Sequence, residues 1–422
     1  MTFTLADPAS NVRDEIATSS GMPELPEKIW FHKTASAVID AERCVGCGGC
    51  IAACPSRSIG VGEDGKPTLV KMCTGCSACW DYCPLAGFRV ERLTKLLSSE
   101  TSVNNPHKNQ TELCIHESEL LGKISAVFSA RAVAKAPGAQ DGGAITSLLC
   151  SLMEAGEIDG AILTRKLDAF HSESFLATSV EEISSAAGSV YHQSHPLAQL
   201  NQALPAGVNR IAFVGTPCQI NVLRILQKFT WKHRTTAASN VVLAIALFCT
   251  RSFNPDKLEN AVADFRVDTK QVSRIDIRDG NLVVQDHSGS GLLEQPVKAF
   301  SGAALPGCDE CFDFSGLNAD LAVGNVGSER GNSTIVVRSH MGEKALALAG
   351  SSLELHLVED LSPVMRLAKY DKERAEKASP RGLDPDANLW VSYSEHLINY
   401  SGTERAPKAP PAHRSCHYEV SC

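Results

Sequence analysis

The sequence predicts a small α+β module built around two cysteine runs, followed by a larger α/β domain with a mixed sheet. Three observations carry this reading. Between Cys44 and Pro84, eight cysteines recur in a single spacing, C-x2-C-x2-C-x3-C-P, written twice. From Lys123 onward, short apolar runs alternate with segments of helical period, the texture of a sheet covered by helices. Between the two regions lies a polar connector, Ser98 to Glu119, whose T-S-V-N-N-P-H-K-N-Q core is loop chemistry.

Length and composition set the frame. At 422 residues the chain has room for about three domains. Its 43% hydrophobic and 21% charged content is that of a globular protein, and a formal net charge of −8 leaves no basic footprint for nucleic acid. The sixteen cysteines cluster in metal-ligand spacings instead of spreading as pairs, which implies a reducing compartment. M-T-F-T-L-A-D-P-A-S lacks the charged and apolar regions of a signal peptide. The longest apolar run, V-V-L-A-I-A-L-F-C ending at Cys249, is about half of what a bilayer span needs. No transmembrane segment is expected, and the expected location is the cytoplasm, with membrane contact only through a partner. The division that follows is an extension (1–36), a cysteine module (37–93), a linker (94–122), an α/β domain (123–368) and a C-terminal tail (369–422).

The two runs, C-V-G-C-G-G-C-I-A-A-C-P and C-T-G-C-S-A-C-W-D-Y-C-P, have the ligand spacing of a two-cluster bacterial ferredoxin. In that arrangement three cysteines of a run hold one 4Fe-4S cluster and the fourth reaches across to the other. Cys44, Cys47, Cys50 and Cys83 are thus expected on one cluster, and Cys73, Cys76, Cys79 and Cys54 on its partner. The small residues between the thiols let backbone amides turn toward sulfur. A zinc module would instead want paired C-x2-C knuckles, and a disulfide framework suits a small secreted chain. E-D-G-K (Glu63 to Lys66) is expected as a hairpin turn between the runs.

In the α/β region, I-S-A-V-F-S-A-R-A reads as a strand. Asp141, Gly142 and Gly143 then turn the chain into a helix, with Ile145, Leu148, Leu149, Leu152 and Met153 on one face. A glycine turn opening a helix offers free amides to a phosphate, although most such turns are only turns. I-A-F-V-G-T-P-C-Q-I and V-V-L-A-I-A-L-F-C-T are further strands. They place Cys218 and Cys249 at C-terminal strand ends, where open α/β sheets bind their ligands. Either cysteine alone also fits a buried structural thiol. V-S-R-I-D-I-R-D-G-N-L-V-V reads as a hairpin. Cys308 and Cys311 form a C-x2-C that by itself fits redox, zinc or structural roles. Added to Cys218 and Cys249, it makes four thiols, the number a third 4Fe-4S cluster needs. Cys114, Cys150, Cys416 and Cys422 lack ligand spacing and are taken as non-ligands.

Taken together, D-G-G-A-I-T-S-L-L, V-G-T-P-C-Q-I, A-L-F-C and C-D-E-C-F-D-F with A-D-L-A-V-G-N-V-G-S resemble the coenzyme F420 hydrogenase/dehydrogenase beta-subunit family over roughly residues 37 to 345. The resemblance implies an α+β ferredoxin-like two-cluster module followed by an α/β flavin-binding domain with mixed sheet. It implies FAD near Gly142, Gly143, Thr146, Ser189, Tyr191, Thr216 and Pro217. It also implies that Cys218, Cys249, Cys308 and Cys311 hold a cluster next to the flavin.

The implied activity is electron transfer between coenzyme F420, FAD and a chain of 4Fe-4S clusters to a partner protein or complex, with ferredoxin among the candidate partners. Flavin explains the architecture because it takes a hydride yet releases electrons singly. An oligomer or hetero-complex subunit is expected. Two alternatives stand beside this: a ferredoxin-dependent FAD reductase of another small substrate, and an electron-relay subunit without a substrate pocket. Arg165, Lys166, Arg224, Arg251 and Arg278 are candidate anion contacts, and no spacing selects among them. No residue stands out as a general acid or base. His171 and His192 are candidates to assist protonation.

Overall fold

The computed structural model describes residues 28–101, 119–229 and 236–409. The core of the polar connector, together with Cys114, Cys416 and Cys422, lies outside the described residues. The N-terminal module is two half-turns of one design. Each cysteine loop runs into a short helix, Gly49–Ala53 after the first and Ala78–Asp81 after the second. Between them strands β1 (Ile59–Val61) and β2 (Pro67–Leu69) pair antiparallel, with Ile59 opposite Leu69. Gly48 enters its helix with φ 80°, and a Cβ there would lie 2.7 Å from the His195 carbonyl oxygen. Only glycine combines that backbone with that approach.

The larger domain is an eight-stranded mixed sheet. Its strands are β3 (Ala126–Ala132), β4 (Gly160–Lys166), β5 (Ser172–Ala177), β6 (Ile211–Gly215) and β7 (Val241–Leu247), then, after an insertion, β11 (Leu321–Gly324), β12 (Ser333–Val337) and β13 (Leu353–Leu357). The insertion is a separate antiparallel sheet of β8 (Val272–Arg278), β9 (Asn281–Asp286) and β10 (Gly291–Pro296). Spatial order in the large sheet is β13-β3-β12-β11-β7-β6-β4-β5. The four strands β11, β7, β6 and β4 run parallel, and antiparallel strands close both edges.

The central strands are apolar on both faces, as they must be when helices cover both sides. On one face the helix Ala144–Glu154 buries Leu148, Leu149 and Leu152 against β3, β4 and β12. On the other, the helix Pro217–Lys228 buries Ile220, Leu223 and Ile225 in a core shared with Leu93 and Ala52. The cysteine module therefore packs directly on the second face. Gly49 lies against Val222, Asn201 Nδ2 donates to the Ile51 carbonyl at 3.2 Å, and the Tyr82 hydroxyl donates to the Phe229 carbonyl.

Beyond the large sheet, the helix Ser362–Ala378 buries Val364, Ala368 and Ala375, so the boundary placed at 368 falls inside it. The chain then returns to the cysteine module. Trp80 Nε1 donates to the Val391 carbonyl at 2.7 Å, Arg89 N to Leu389 O at 2.9 Å, and Val391 N to Gly87 O at 2.8 Å. A last helix, Tyr393–Tyr400, places His396 and Tyr400 beside Trp80 and Arg43. Among the described residues no helix is long and apolar enough to cross a membrane.

Candidate redox site

The thiols of the two runs gather in the crossed sets that the spacing predicts. Cys54, Cys73, Cys76 and Cys79 line one small cavity together with Ile29, Ser58 and Thr74. Cys83 lies with Cys44, Cys47 and Cys50: after burial, Cys83 and Cys44 raise the cost of ionising Cys47 and Cys50, and Cys44 that of Cys83. Backbone amides turn toward the sulfurs: Ser58 N to Cys54 Sγ at 3.2 Å, Gly75 N to Cys73 Sγ at 3.4 Å, and Gly49 N to Cys47 Sγ at 3.4 Å. Burial, ahead of the neighbouring thiols, pushes Cys83 up to about 11 and Cys79 up to about 12, with the Thr34 hydroxyl working the other way at Cys79. Crowded buried thiols ionise only when a bound cation compensates them, and iron in a cluster does so. Among the described residues no three side chains converge tightly enough for a single metal ion. A cubane spreads its thiolates wider, because each binds a different iron.

The third set of thiols comes from three places in the α/β domain. Cys218 is the second residue of the helix Pro217–Lys228, whose start is fixed by Gln219 Oε1 accepting the Thr216 N–H at 2.8 Å. Cys249 follows the end of the adjacent strand β7, and Cys308 and Cys311 flank Glu310 at the end of a tight turn, Pro306–Glu310. All four line one cavity of ≈ 50 Å³, which Val45, Pro84 and Leu85 of the cysteine module also border. Burial raises all four thiols, Cys308 to about 11 and the others well above the ordinary thiol range. Ser252 N points at Cys308 Sγ at 3.4 Å, and the Thr216 hydroxyl lies 3.2 Å from Cys218 Sγ. Arg374 closes the loop from the C-terminal helix by donating to the carbonyls of Thr250 and Cys308, at 2.9 and 3.1 Å. The chemistry of the donor set, four converging thiols in a walled cavity, fits a cluster.

The residues assigned to flavin by resemblance fall in two groups. Gly142 and Gly143 form the turn before the helix Ala144–Glu154, with Thr146 half-buried in its first turn. A Cβ on Gly142 would stand 2.2 Å from the Ala130 carbonyl, so close packing on β3 alone demands glycine there. The Tyr191 hydroxyl joins this turn, accepting from Gln140 Nε2 at 3.2 Å and from Ile277 N at 3.0 Å. Ser189 is in the same segment. Thr216 and Pro217 stand apart from this group, beside the third thiol set.

One segment, 188–197, joins the groups, and its central residues were not foreseen. Gln193 Oε1 accepts from Gln219 Nε2, while its own Nε2 donates to Ser252 Oγ at 2.6 Å. His195, in a left-handed conformation, donates its backbone N–H to Gly46 O at 3.0 Å, and its Nε2 meets Gly65 O at 2.8 Å. The segment thus runs from the Gly142 turn, past the third thiol set, to the first cysteine loop. Cations gather at its start. Lys166 reaches Gly188, and burial followed by the Arg274 charge lowers its pKa. Asp276, fully buried, pairs with Arg274 at 2.8 Å and with Arg278. The signal for this cluster was the R-I-D-I-R alternation, which puts Arg274, Asp276 and Arg278 on one face of β8. Of the other candidate cations, Arg165 pairs with Glu173, Arg224 with Asp320 and Arg251 with Asp309. Among the candidate histidines, His171 pairs with Asp168, whereas His192 is held down to about 4 by burial and then by the His171 charge.

Comparison with known proteins agrees with this architecture. Residues 208–360 and 127–201 match the C-terminal and N-terminal family models of the coenzyme F420 hydrogenase/dehydrogenase beta subunit, and residues 36–84 match a 4Fe-4S dicluster domain. The coenzyme F420 hydrogenase subunit beta of Methanosarcina barkeri is 30% identical over 269 residues, 62% of this chain and 92% of that one. The coenzyme F420-dependent sulfite reductase of Methanocaldococcus jannaschii is 29% identical over 366 residues, 84% of this chain but only 53% of the relative. Among solved structures, a chain of the F420-reducing NiFe hydrogenase complex from Methanosarcina barkeri superposes with a TM-score of 0.57 at 29% identity, covering 61% of this chain and 92% of that one. The chain therefore belongs to the coenzyme F420 hydrogenase/dehydrogenase beta-subunit family, as an electron-transferring oxidoreductase subunit carrying a 4Fe-4S dicluster domain.

Proposed function

We propose that the protein passes electrons between coenzyme F420 and a partner protein through FAD and three 4Fe-4S clusters. The observation that carries this is the continuity of the three thiol sets. Val45, Pro84 and Leu85 border the cavity of Cys218, Cys249, Cys308 and Cys311, and Cys79 lies close enough to Cys50 to raise its cost of ionisation across the two ferredoxin-type sets. Clusters held there supply one-electron steps, and a flavin supplies the change from hydride to single electrons.

Gly142, Gly143, Thr146, Ser189 and Tyr191 on one side, and Thr216 and Pro217 on the other, are the assigned flavin contacts. The segment 188–197 spans the gap between them. Lys135, Lys166, Arg274 and Arg278 hold more positive charge than Asp141 and Asp276 neutralise, and so favour an anionic cosubstrate at the Gly142 turn. The clusters call for a reducing compartment. A partner is favoured by two relatives: one is named as a hydrogenase subunit, and in the other this chain spans about half of a longer reductase.

The test is anaerobic purification, with iron and flavin determined, followed by addition of reduced F420. Bleaching of flavin and cluster absorbance, with about twelve irons per chain, is the expected result. Centres that stay oxidised with F420 but bleach with reduced ferredoxin would replace the deazaflavin with another small substrate. Clusters without flavin would leave an electron relay.

A further inference from the structure

Between the cysteine module and the α/β domain lies a buried ion pair that neither thiol set uses as a ligand. Arg43 immediately precedes Cys44 and is fully buried, and Glu310 sits between Cys308 and Cys311. Arg43 Nε donates to Glu310 Oε1 at 2.7 Å, and Nη2 donates to Oε2 at 2.8 Å. The remaining Arg43 donors reach Ala37 O at 3.0 Å and Leu85 O at 2.7 Å. From the opposite side the Tyr400 hydroxyl donates to Glu310 Oε2 at 2.7 Å, and Arg405 Nη1 donates to Oε1 at 3.0 Å. The Tyr400 ring also lies 4.1 Å from the guanidinium carbon. The two loops themselves touch: a Cβ on Gly307 would lie 1.8 Å from the Arg43 carbonyl oxygen.

A pair like this is a weak device for stability, because apolar residues of similar volume often do as well in its place. What apolar residues cannot copy is the fork. Two parallel hydrogen bonds fix separation and orientation together. Here the fork joins the residue before one thiol set to a residue within the other. The groups that lock it, Tyr400 and Arg405, belong to a C-terminal segment beyond residue 360, where the family match ends.

We propose that Arg43 and Glu310 are positioning residues. Their fork, locked by Tyr400 and Arg405, sets the separation and orientation of the Cys44/Cys47/Cys50/Cys83 centre relative to the Cys218/Cys249/Cys308/Cys311 centre. It thereby sets the electronic coupling between them. The inference rests on the reading in which both thiol sets hold clusters.

The test uses the full chain, reduced anaerobically, with iron content, circular dichroism and low-temperature electron paramagnetic resonance read on each sample. Three variants separate the possibilities. Arg43→Met with Glu310→Met keeps volume and removes both charges, Arg43→Lys keeps the charge without the fork, and Tyr400→Phe removes one lock. The expected result is wild-type iron and circular dichroism in all three. The spin–spin splitting between the two centres should be lost in the first two variants and reduced in the third. An unchanged splitting at full iron in the double variant and in Arg43→Lys overturns the proposal. So does loss of iron from the third thiol set in both of those variants, which would make the pair an assembly element. A wild-type protein with only about eight irons defeats the three-cluster reading itself, and the iron count tells that failure apart from the first.

Discussion

Replacing Cys249 with alanine separates a cluster site from a structural thiol. If the four α/β-domain thiols hold a cluster, the variant should fall from about twelve irons per chain to about eight, with sulfide falling in step. The lost thiol alone should not unfold the protein. The truncation itself enlarges the ≈ 50 Å³ cavity by little more than one sulfur atom, a cost of about 1 kcal/mol or less at ~24 cal/mol per Å³, so a larger fall in stability measures what the bound cluster contributes. The control is Cys150→Ala. Cys150 is half-buried on the helix Ala144–Glu154, its sulfur 3.7 Å from Ser184 Oγ, with no other thiol of the three sets beside it. The assay is iron and acid-labile sulfide on anaerobically purified protein, with circular dichroism confirming the fold. Cys249→Ala protein that keeps all of its iron would refute the assignment, and so would equal loss in both variants.

Burial and then the neighbouring Arg43 charge hold His396 down to about 3, while burial and the His171 charge hold His192 at about 4. Against an unfolded value near ~6.5, both contribute stability that is complete above that value and lost as pH falls toward the folded values. The loss between pH 7 and 5.5 is roughly 2.5 kcal/mol for the pair. Urea midpoints across that range should fall less steeply in His396→Gln, and an unchanged pH slope would count against the burial argument. Lys166→Ala should raise KM for the anionic cosubstrate about tenfold with kcat nearly unchanged, since it removes a charge-assisted contact away from the reacting atoms; steady-state kinetics with varied cosubstrate checks this, and an unaltered KM would place the anion elsewhere. Leu148, fully buried between the helix Ala144–Glu154 and the sheet, should cost about 2–5 kcal/mol when cut to alanine, with the iron content retained; equilibrium unfolding reads the loss.

What the chain shows in one dimension depends on how local each signal is. The cysteine runs repeat a spacing within a dozen residues, so a reader meets the ligand pattern whole. The strands β6 and β7 are continuous apolar runs because they are buried on both faces, and the hairpin β8–β9 carries its D-G-N turn. The C-terminal helices were hidden for a physical reason. The buried face of Ser362–Ala378 is Val364, Ala368, Asp371 and Ala375. Its apolar side chains are few within a charged stretch, so the segment is polar on average although its helical period is as marked as that of Ala144–Glu154, and it reads as a solvated tail.

The linking residues were invisible for another reason. Gln193, His195, Arg43 and Glu310 act through partners brought in from far along the chain, and 267 positions separate Arg43 from Glu310. Residue type gives no warning of such a role. An arginine before a ligand cysteine and a glutamate inside a C-x2-C both read as ordinary solvated charges. Only the fold removes the water and makes each the other's necessary partner, since a charge buried there alone would cost several kcal/mol. The same physics explains why the connection runs through polar groups. Apolar packing tolerates small slips between the module and the domain, whereas a fork closed on both sides does not. Two redox centres that must exchange electrons at a set distance need the second kind of contact at their boundary.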